Sequence, residues 1–213
     1  FNEEMRFKKE IIDASKYLLQ LQFNIGSEGN ISYRQKNEIY ITPSGIKTSN
    51  LEPKDISKVD LNGKVLNKNK PSSEILLHSC IYRNHKDIRA VVHSHSKWAS
   101  ILSCMRISIP SFHYMVAEFG GHNIRCSKYA TFGTEKLSKY VNEVLHKRKG
   151  CLIANHGQVT IGCNLEEAVD LSIALEKLSE QFYYLWITKQ TKLLSDKEMR
   201  KIVKLFEDYK AKH

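Results

Sequence analysis

The chain has 213 residues, of which 41% are hydrophobic and 26% charged, and its formal net charge is +10 at pH 7. These values predict one globular domain, residues 1–213, with a substantial core. No apolar run approaches the ~18–20 residues that cross a bilayer, which argues against a membrane protein. The mixed charges of the first six residues predict no signal peptide, so a cytoplasmic location is expected.

The excess of positive charge raises nucleic-acid binding as one function to consider. The lysines, however, are spread along the whole chain, and no helix-turn-helix, zinc-finger or RNP-like motif organises them. We therefore expect a solvated, lysine-rich surface and no nucleic-acid partner. The positive electrostatic field of such a surface would also attract a small phosphorylated substrate.

The predicted elements mix helices with short strands. In chain order they are a helix over 4–23, strands over 30–34 and 38–42, a hairpin over 58–66, a helix over 71–84, a strand over 89–95, helices over 98–104 and 134–147, strands over 151–155 and 159–161, and helices over 165–188 and 196–210. Asn62-Gly63 is the turn of the hairpin. Because there is no strict βαβ rhythm, an α/β protein with helices on a mainly antiparallel central sheet is expected.

Three histidines stand at the ends of apolar strands. His93 and His95 are two residues apart, so both imidazoles face the same side of their strand. His156 ends a second apolar run and precedes Gly157, which permits a sharp turn beside a site. An HxH pair alone also fits two histidines hydrogen-bonded at a sheet edge. Three neutral imidazoles together leave one position of a zinc ion open, as in catalytic sites, although cobalt or manganese also fits them. The other histidines, His78 among them, lack this context.

Glu74 is predicted in the first turn of the helix over 71–84, next to Ser72 and Ser73. A carboxylate there either complements the helix dipole or reaches the metal and a substrate C–H proton as a general base. Three segments fit a phosphate: residues 26–30, residues 42–45 and the two serines. Each alone is an ordinary turn or cap, but together with the three histidines they favour a phosphorylated substrate.

Five motifs resemble those of the class II aldolase/adducin family. They are, in order, GSEGNIS (26–32), ITPSG (41–45), KPSSE (70–74), VHSH (92–95) and NHG (155–157). Within the family, SIPSFHYM (108–115), Gly120-Gly121, YATFGT (129–134) and the tail over 194–209 are similar to the fuculose-phosphate aldolases. The resemblance covers essentially the whole chain.

The resemblance implies a single-domain three-layer α/β fold, assembled as a homotetramer with active sites between neighbouring subunits. It implies one zinc ion per subunit, held by His93, His95 and His156. Glu74 is the implied fourth ligand in the resting state and the acid/base when substrate displaces it.

The resemblance also assigns the substrate contacts. The implied phosphate-binding residues are Gly29, Asn30, Ser44, Gly45, Ser72 and Ser73. Tyr114, Phe132 and Tyr209 match positions that shape the aldehyde side, one tyrosine serving as proton donor. Glu28 departs from the pattern, because a small residue is common there and a carboxylate pointing inward would weaken anion binding.

The implied activity is reversible cleavage of a ketose 1-phosphate, first of all L-fuculose 1-phosphate, to dihydroxyacetone phosphate and L-lactaldehyde. Alternatives on the same scaffold are a pentulose-phosphate 4-epimerase and a methylthioribulose-phosphate dehydratase. The epimerases typically carry Asp where Glu74 stands and lack the Phe-His-Tyr-Met run. A more distant alternative is a non-catalytic, adducin-like interaction module, but those members lose the three histidines.

Overall fold

A computed structural model describes residues 3–212. Its elements are α1 (Glu3–Gln20), β1 (Asn30–Gln35), β2 (Glu38–Ile41), β3 (Ser57–Asp60), α2 (Ile75–Asn84), β4 (Ala90–Ser94), α3 (Lys97–Met105), α4 (Glu135–Leu145), β5 (Gly150–Ile153), β6 (Gly157–Gly162), α5 (Leu165–Thr188) and α6 (Asp196–Lys212). Short 3-10 helices occupy Thr48–Asn50, Pro53–Asp55 and Tyr114–Phe119. None of the described helices is both long enough and apolar enough to cross a membrane.

Within residues 3–212, six strands form one sheet in the order β3-β2-β1-β4-β6-β5. Every neighbouring pair is antiparallel, which confirms the expected sheet. The register places His93 of β4 beside Asn30 of β1 on one side and beside Val159 of β6 on the other. The first predicted metal ligand therefore lies on a central strand.

Side-chain alternation along the strands produces three layers, because successive residues of a strand face opposite sides of the sheet. Val92 packs in one apolar cluster with residues of α1 and α5, such as Ile11. Val91 packs on the opposite face in a cluster with residues of α2 and α4, such as Ile81 and Val141. Fully burying one such aliphatic side chain contributes about 1.5–3 kcal/mol. The predicted arrangement of helices flanking a central sheet is confirmed.

Two local predictions are wrong. Glu74 does not lie in the first turn of a helix: α2 begins at Ile75, and Glu74 is its N-cap residue, with φ −99° and ψ 19°. The reason is the preceding turn, in which the Ser72 hydroxyl accepts the Glu74 N–H at 3.2 Å. The second arm of the predicted hairpin is not a strand either: it pairs with β3 at one isolated bridge, Val59 with Val65, flanked by two backbone hydrogen bonds.

Candidate active site

A cavity of about 550 Å³ lies where β1, β4 and the β5–β6 turn meet the loops around residues 43 and 73. Its lining comes from five stretches of chain: residues 27–30, 43–45, 72–74, 129–132 and 155–156, together with His95. All six residues predicted to bind phosphate line it, as do Glu74 and Phe132.

The three histidines meet at the inner end of this cavity. His93 belongs to β4, His95 follows the end of that strand, and His156 lies in the turn between β5 and β6. Their ring centroids are 4.7–5.0 Å apart. One ring nitrogen of each lies within 4.8 Å of those of the other two. His93 is completely buried, whereas His95 and His156 are partly exposed toward the cavity.

The β5–β6 turn is shaped so that His156 reaches the end of β4. Asn155 adopts a left-handed conformation (φ 53°), and its N–H donates to the Ser103 carbonyl at 3.0 Å. A Cβ at Gly157 would overlap the carbonyl oxygen of Ser94, so only glycine allows β6 to start this close to β4. The glycine after His156 is thus required by packing between the two strands that carry the histidines.

The Glu74 carboxylate points into the histidine cluster. Its Oε2 lies 3.0 Å from His93 Nε2, and its Oε1 lies 3.6 Å from His156 Nε2. Burial raises the pKa of Glu74, but attraction to the neighbouring imidazole of His93 and its hydrogen bond, with smaller contributions from His156 and Asn30, outweigh burial and hold that pKa well below its ordinary value. Burial and repulsion from His93 lower the pKa of His95 and of His156 to about 4. Both imidazoles are therefore neutral at pH 7, the state that binds a metal.

The four side chains fit a divalent transition metal. His93 Nδ1 lies 2.8 Å from the Gln158 carbonyl, to which it donates, so Nε2 is the ring nitrogen available to bind a metal. His93 Nε2 is 3.1 Å from His95 Nε2 and 3.0 Å from Glu74 Oε2. Tetrahedral ligands at ~2.0–2.1 Å from zinc are ~3.3 Å apart, which is close to these separations. Glu74 Oε1 is buried and has no hydrogen-bond partner among the described residues, so it is free for such a contact.

The cavity wall opposite the histidines is made of two loops joined to each other. Pro43 and Pro71 form an antiparallel bridge, and Ser44 N–H donates to the Lys70 carbonyl at 3.1 Å. The bridge brings the predicted phosphate segments Ser44-Gly45 and Ser72-Ser73 side by side. This contact between the two segments is not predictable from local sequence, because 26 or more residues separate them.

The third predicted phosphate segment turns back on itself beside His95. Gly29 has φ 69°, and a Cβ there would overlap the Asn24 amide, so glycine is required at this position. Glu28, the residue that departs from the family pattern, lines the cavity. One of its carboxylate oxygens accepts the Ile25 N–H at 2.9 Å, and the other lies 3.8 Å from His95 Nδ1. The Glu28 charge is thus held near the histidines.

Asn30 does not present a free amide to the cavity. Its Nδ2 donates to Glu74 Oε2 at 3.0 Å, and its Oδ1 lies 2.5 Å from Nε2 of His78 on α2. Asn30 is expected from the sequence to bind phosphate, whereas here both ends of its side chain are engaged between Glu74 and His78.

The aromatic residues separate into two groups. Phe132 lines the cavity and is 62% exposed, and Tyr129, which sequence reasoning did not single out, lines it as well. Tyr114 and Tyr209 do not line it. Tyr114 stacks on Phe206 of α6 with ring centroids 6.5 Å apart, and Tyr209 lies further along the same helix, 65% exposed. The motif YATFGT was the available signal for Tyr129, because its first residue is that tyrosine.

Comparison with known proteins assigns the chain to a family. A sequence profile described as Class II Aldolase and Adducin N-terminal domain matches residues 9–183. The chain belongs to this family. The 5-methylthioribulose-1-phosphate/5-deoxyribulose-1-phosphate aldolase of Rhodospirillum rubrum is 38% identical to it over 199 residues, which cover 93% of this chain and 90% of that protein. The L-fuculose phosphate aldolase of Escherichia coli K12 is 37% identical over 208 residues, which cover 97% of each.

A solved structure agrees with the sequence relatives. An L-fuculose 1-phosphate aldolase superposes with a TM-score of 0.92 at 31% identity, covering 97% of this chain and 100% of that one. The family and these aldolases make the chain an enzyme of the aldehyde-lyase class. Class II aldolases are metal-dependent, and His93, His95 and His156 form a group that can hold the metal.

Proposed function

We propose that this enzyme is a zinc-dependent aldolase that reversibly cleaves a ketose 1-phosphate to dihydroxyacetone phosphate and a short aldehyde. The first candidate substrate is L-fuculose 1-phosphate, which would give L-lactaldehyde. The observation that carries the proposal is the inner end of the cavity, where three imidazoles with centroids 4.7–5.0 Å apart surround a buried carboxylate.

His93, His95 and His156 would hold the zinc ion, with Glu74 as a fourth ligand before substrate binds. Bound zinc supplies Lewis-acid polarisation of the ketose carbonyl and the adjacent hydroxyl oxygen. Glu74 is the general acid/base. In cleavage a base takes the proton from the C4 hydroxyl, the C3–C4 bond breaks with its electron pair passing toward C3, and Glu74 returns a proton to C3.

The phosphate end is assigned to the loops of the opposite wall. Ser44, Gly45, Ser72 and Ser73 line the cavity on that side, and Gly29 lines it beside His95. The serine hydroxyls would donate to the phosphate oxygens. No acidic residue of these two joined loops other than Glu74 lines the cavity within residues 3–212. The net charge of +10 favours the approach of a sugar phosphate.

The aldehyde end is assigned to aromatic residues from more than one copy of the chain. Phe132 lines the cavity, but Tyr114 and Tyr209 lie outside it. If the proton donor to the aldehyde oxygen is Tyr114 or Tyr209, as the family resemblance implies, it would therefore come from a neighbouring subunit. This assignment depends on active sites that lie between subunits, as in the homotetramer that the family resemblance implies.

A second candidate substrate class follows from the Rhodospirillum rubrum relative, whose name gives 5-methylthioribulose and 5-deoxyribulose 1-phosphates. Cleavage of either would also yield dihydroxyacetone phosphate, so the metal and phosphate ends of the site serve both candidates. The aldehydes differ: L-lactaldehyde carries a hydroxyl group, whereas acetaldehyde and methylthioacetaldehyde do not. The exposed ring of Phe132 suits the apolar end of all three.

The test is the release of dihydroxyacetone phosphate from the three ketose 1-phosphates, before and after metal removal with EDTA. We expect cleavage to fall ~10³-fold or more without metal, to return with zinc, and to be lost in His95→Ala. The matched control is His122→Ala, because His122 is exposed and away from the cavity. Cleavage that survives metal removal would reject the mechanism, and epimerisation of a pentulose phosphate without cleavage would move the enzyme to the epimerases.

A further inference from the structure

A chain of hydrogen-bonded, buried polar side chains leads from the cavity wall at Glu74 and Asn30 to residues between α2 and β1. It runs from Glu74 to Asn30, then to His78, Ser32 and Tyr82. The successive distances are 3.0, 2.5, 2.6 and 2.8 Å. His78 and Ser32 are completely buried, and neither lines the cavity. His78, Ser32 and Tyr82 have no part in the proposed cleavage.

The hydrogen bonds of this chain can run in only one direction. An ionised Glu74 only accepts, so Asn30 turns its NH₂ group toward Glu74 and its Oδ1 toward His78. His78 must then carry its proton on Nε2 to donate to Asn30. Its Nδ1 is left as an acceptor for the Ser32 hydroxyl, and the Ser32 oxygen accepts in turn from Tyr82.

The neutral state of His78 agrees with this direction. Burial lowers the pKa of His78 to about 3, despite the opposing attraction of Glu74. A neutral imidazole has one donor and one acceptor nitrogen, which is what two partners of opposite kind require. Both ring nitrogens of His78 thus have a partner of the matching kind, which a buried imidazole needs to be stable.

The geometry leads to a role for His78 that rests on the proposed function of Glu74. We propose that His78 is the positioning residue of Glu74: acting through Asn30, its Nε2–H form fixes the orientation of the Glu74 carboxylate. Oε2 accepts a hydrogen bond from the Asn30 amide. Oε1 has no hydrogen-bond partner among the described residues and lies on the side of His156. His78 lies in the first turn of α2, and its backbone N–H donates to the carbonyl of Glu74, the N-cap residue, at 3.4 Å.

The first test measures the proton position on His78 in the native, metal-free protein. Long-range ¹H–¹⁵N spectra of the imidazoles report which ring nitrogen is protonated, and the His78 signals are identified by their absence in His78→Gln. We expect the proton on Nε2 and a bare Nδ1. A proton on Nδ1 would reverse the direction of the chain and overturn the proposal.

The second test compares two substitutions at the same position. His78→Gln retains an N–H donor near the place of Nε2, whereas His78→Asn places its amide near Nδ1 and cannot reach Asn30. We expect His78→Asn to lower kcat roughly 10–100-fold with little change in KM, and His78→Gln to recover most of that loss. Equal kcat values for the two variants, or a change confined to KM, would overturn the proposal.

Ser32→Ala supplies an independent variant, because it removes the donor to His78 Nδ1. Its matched control is Ser79→Ala: Ser79 follows His78 on α2, is completely buried, and has a hydroxyl without a partner among the described residues. Ser32→Ala is expected to lower kcat and Ser79→Ala to leave it unchanged. Equal effects of the two substitutions would mean that any lost buried hydroxyl suffices, which contradicts a directed chain.

Zinc affinity separates this proposal from the proposed function. If the native protein cleaves no ketose 1-phosphate, the aldolase assignment fails, but the role of His78 is still decided by competition with a chromophoric chelator. We expect weaker zinc binding in His78→Asn than in His78→Gln, by roughly 10-fold or more. If His78→Asn does not fold, Ser32→Ala and the proton position on His78 decide the question by the outcomes given above.

Discussion

The two ends of the active site are built in opposite ways. At the metal end, His93 and Glu74 are buried, and His93 Nδ1 and Glu74 Oε2 are held by hydrogen bonds within the same chain. At the aromatic end, Tyr114 and Tyr209 are exposed and lie outside the cavity. In one chain, the proposed metal ligands lie together, whereas the two tyrosines proposed for the aldehyde end lie outside the cavity.

The difference follows from what each end has to do. Ligands and a general base act only when they are held in fixed positions away from bulk water, and one rigid sheet achieves this by itself. Recognition of a short aldehyde relies on apolar and aromatic surface, which a neighbouring copy can supply. Each of the following experiments tests whether this division holds.

The largest expected effect is at the metal end, with Glu74→Gln. The amide keeps the size of the side chain but cannot exchange the C3 proton, so kcat should fall roughly 10²–10⁴-fold. The measurement is steady-state cleavage together with the zinc content of the purified variant. Retention of zinc with full activity would remove Glu74 from the mechanism.

The control for that variant is Glu28→Gln, a second carboxylate of the same cavity. Glu28 lies 3.8 Å from His95 Nδ1 and accepts a backbone N–H, but it does not contact His93 or the Asn30 amide. We expect a change in kcat below about tenfold, because Glu28 acts only on the orientation of one ligand. A loss equal to that of Glu74→Gln would show that any charge near the histidines matters.

The meeting of the three histidines is predictable because part of its pattern is local. Two histidines separated by one residue share a strand face, and a glycine after the third predicts a turn. His78 is not predictable in this way, since its partners Ser32 and Asn30 are 46 and 48 residues away and meet it only where α2 packs on β1. The start of α2 is missed because a hydrogen bond from the Ser72 turn moves Glu74 out of the helix.

An intermediate effect is expected at the aromatic end. Tyr114→Phe and Tyr209→Phe each keep the ring, so whichever tyrosine is the proton donor should lose roughly 100-fold in kcat without loss of zinc. If a site combines the histidines of one copy with the tyrosine of another, mixing that variant with His95→Ala after dissociation and reassembly restores up to about a quarter of the sites. A mixture as inactive as its components would place both groups in one chain.

The smallest effect at neutral pH is the contribution of His78, in the buried hydrogen-bond network next to Glu74, to the free energy of unfolding. The folded pKa of His78, about 3, lies below the ~6.5 of an unfolded histidine. Between these values the unfolded chain binds a proton that the folded one does not, so the free energy of unfolding falls as pH decreases from ~6.5 and is unaffected above it. Over pH 6.5 to 4 the loss from His78 is roughly 3 kcal/mol.

Urea unfolding of the metal-free native protein and of His78→Gln across this range isolates the contribution of His78. His95 and His156 also have lowered pKa values, but they are present in both proteins and cancel in the comparison. The free energy of unfolding of the variant should therefore fall less steeply as pH decreases. The two slopes should differ by about one proton, or ~1.4 kcal/mol per pH unit. Because this is a difference in slope, it does not depend on any constant cost of the substitution. Parallel curves would mean that His78 is protonated or reached by water in the folded protein, and the metal end would then lack the dry, fixed support that distinguishes it from the aromatic end.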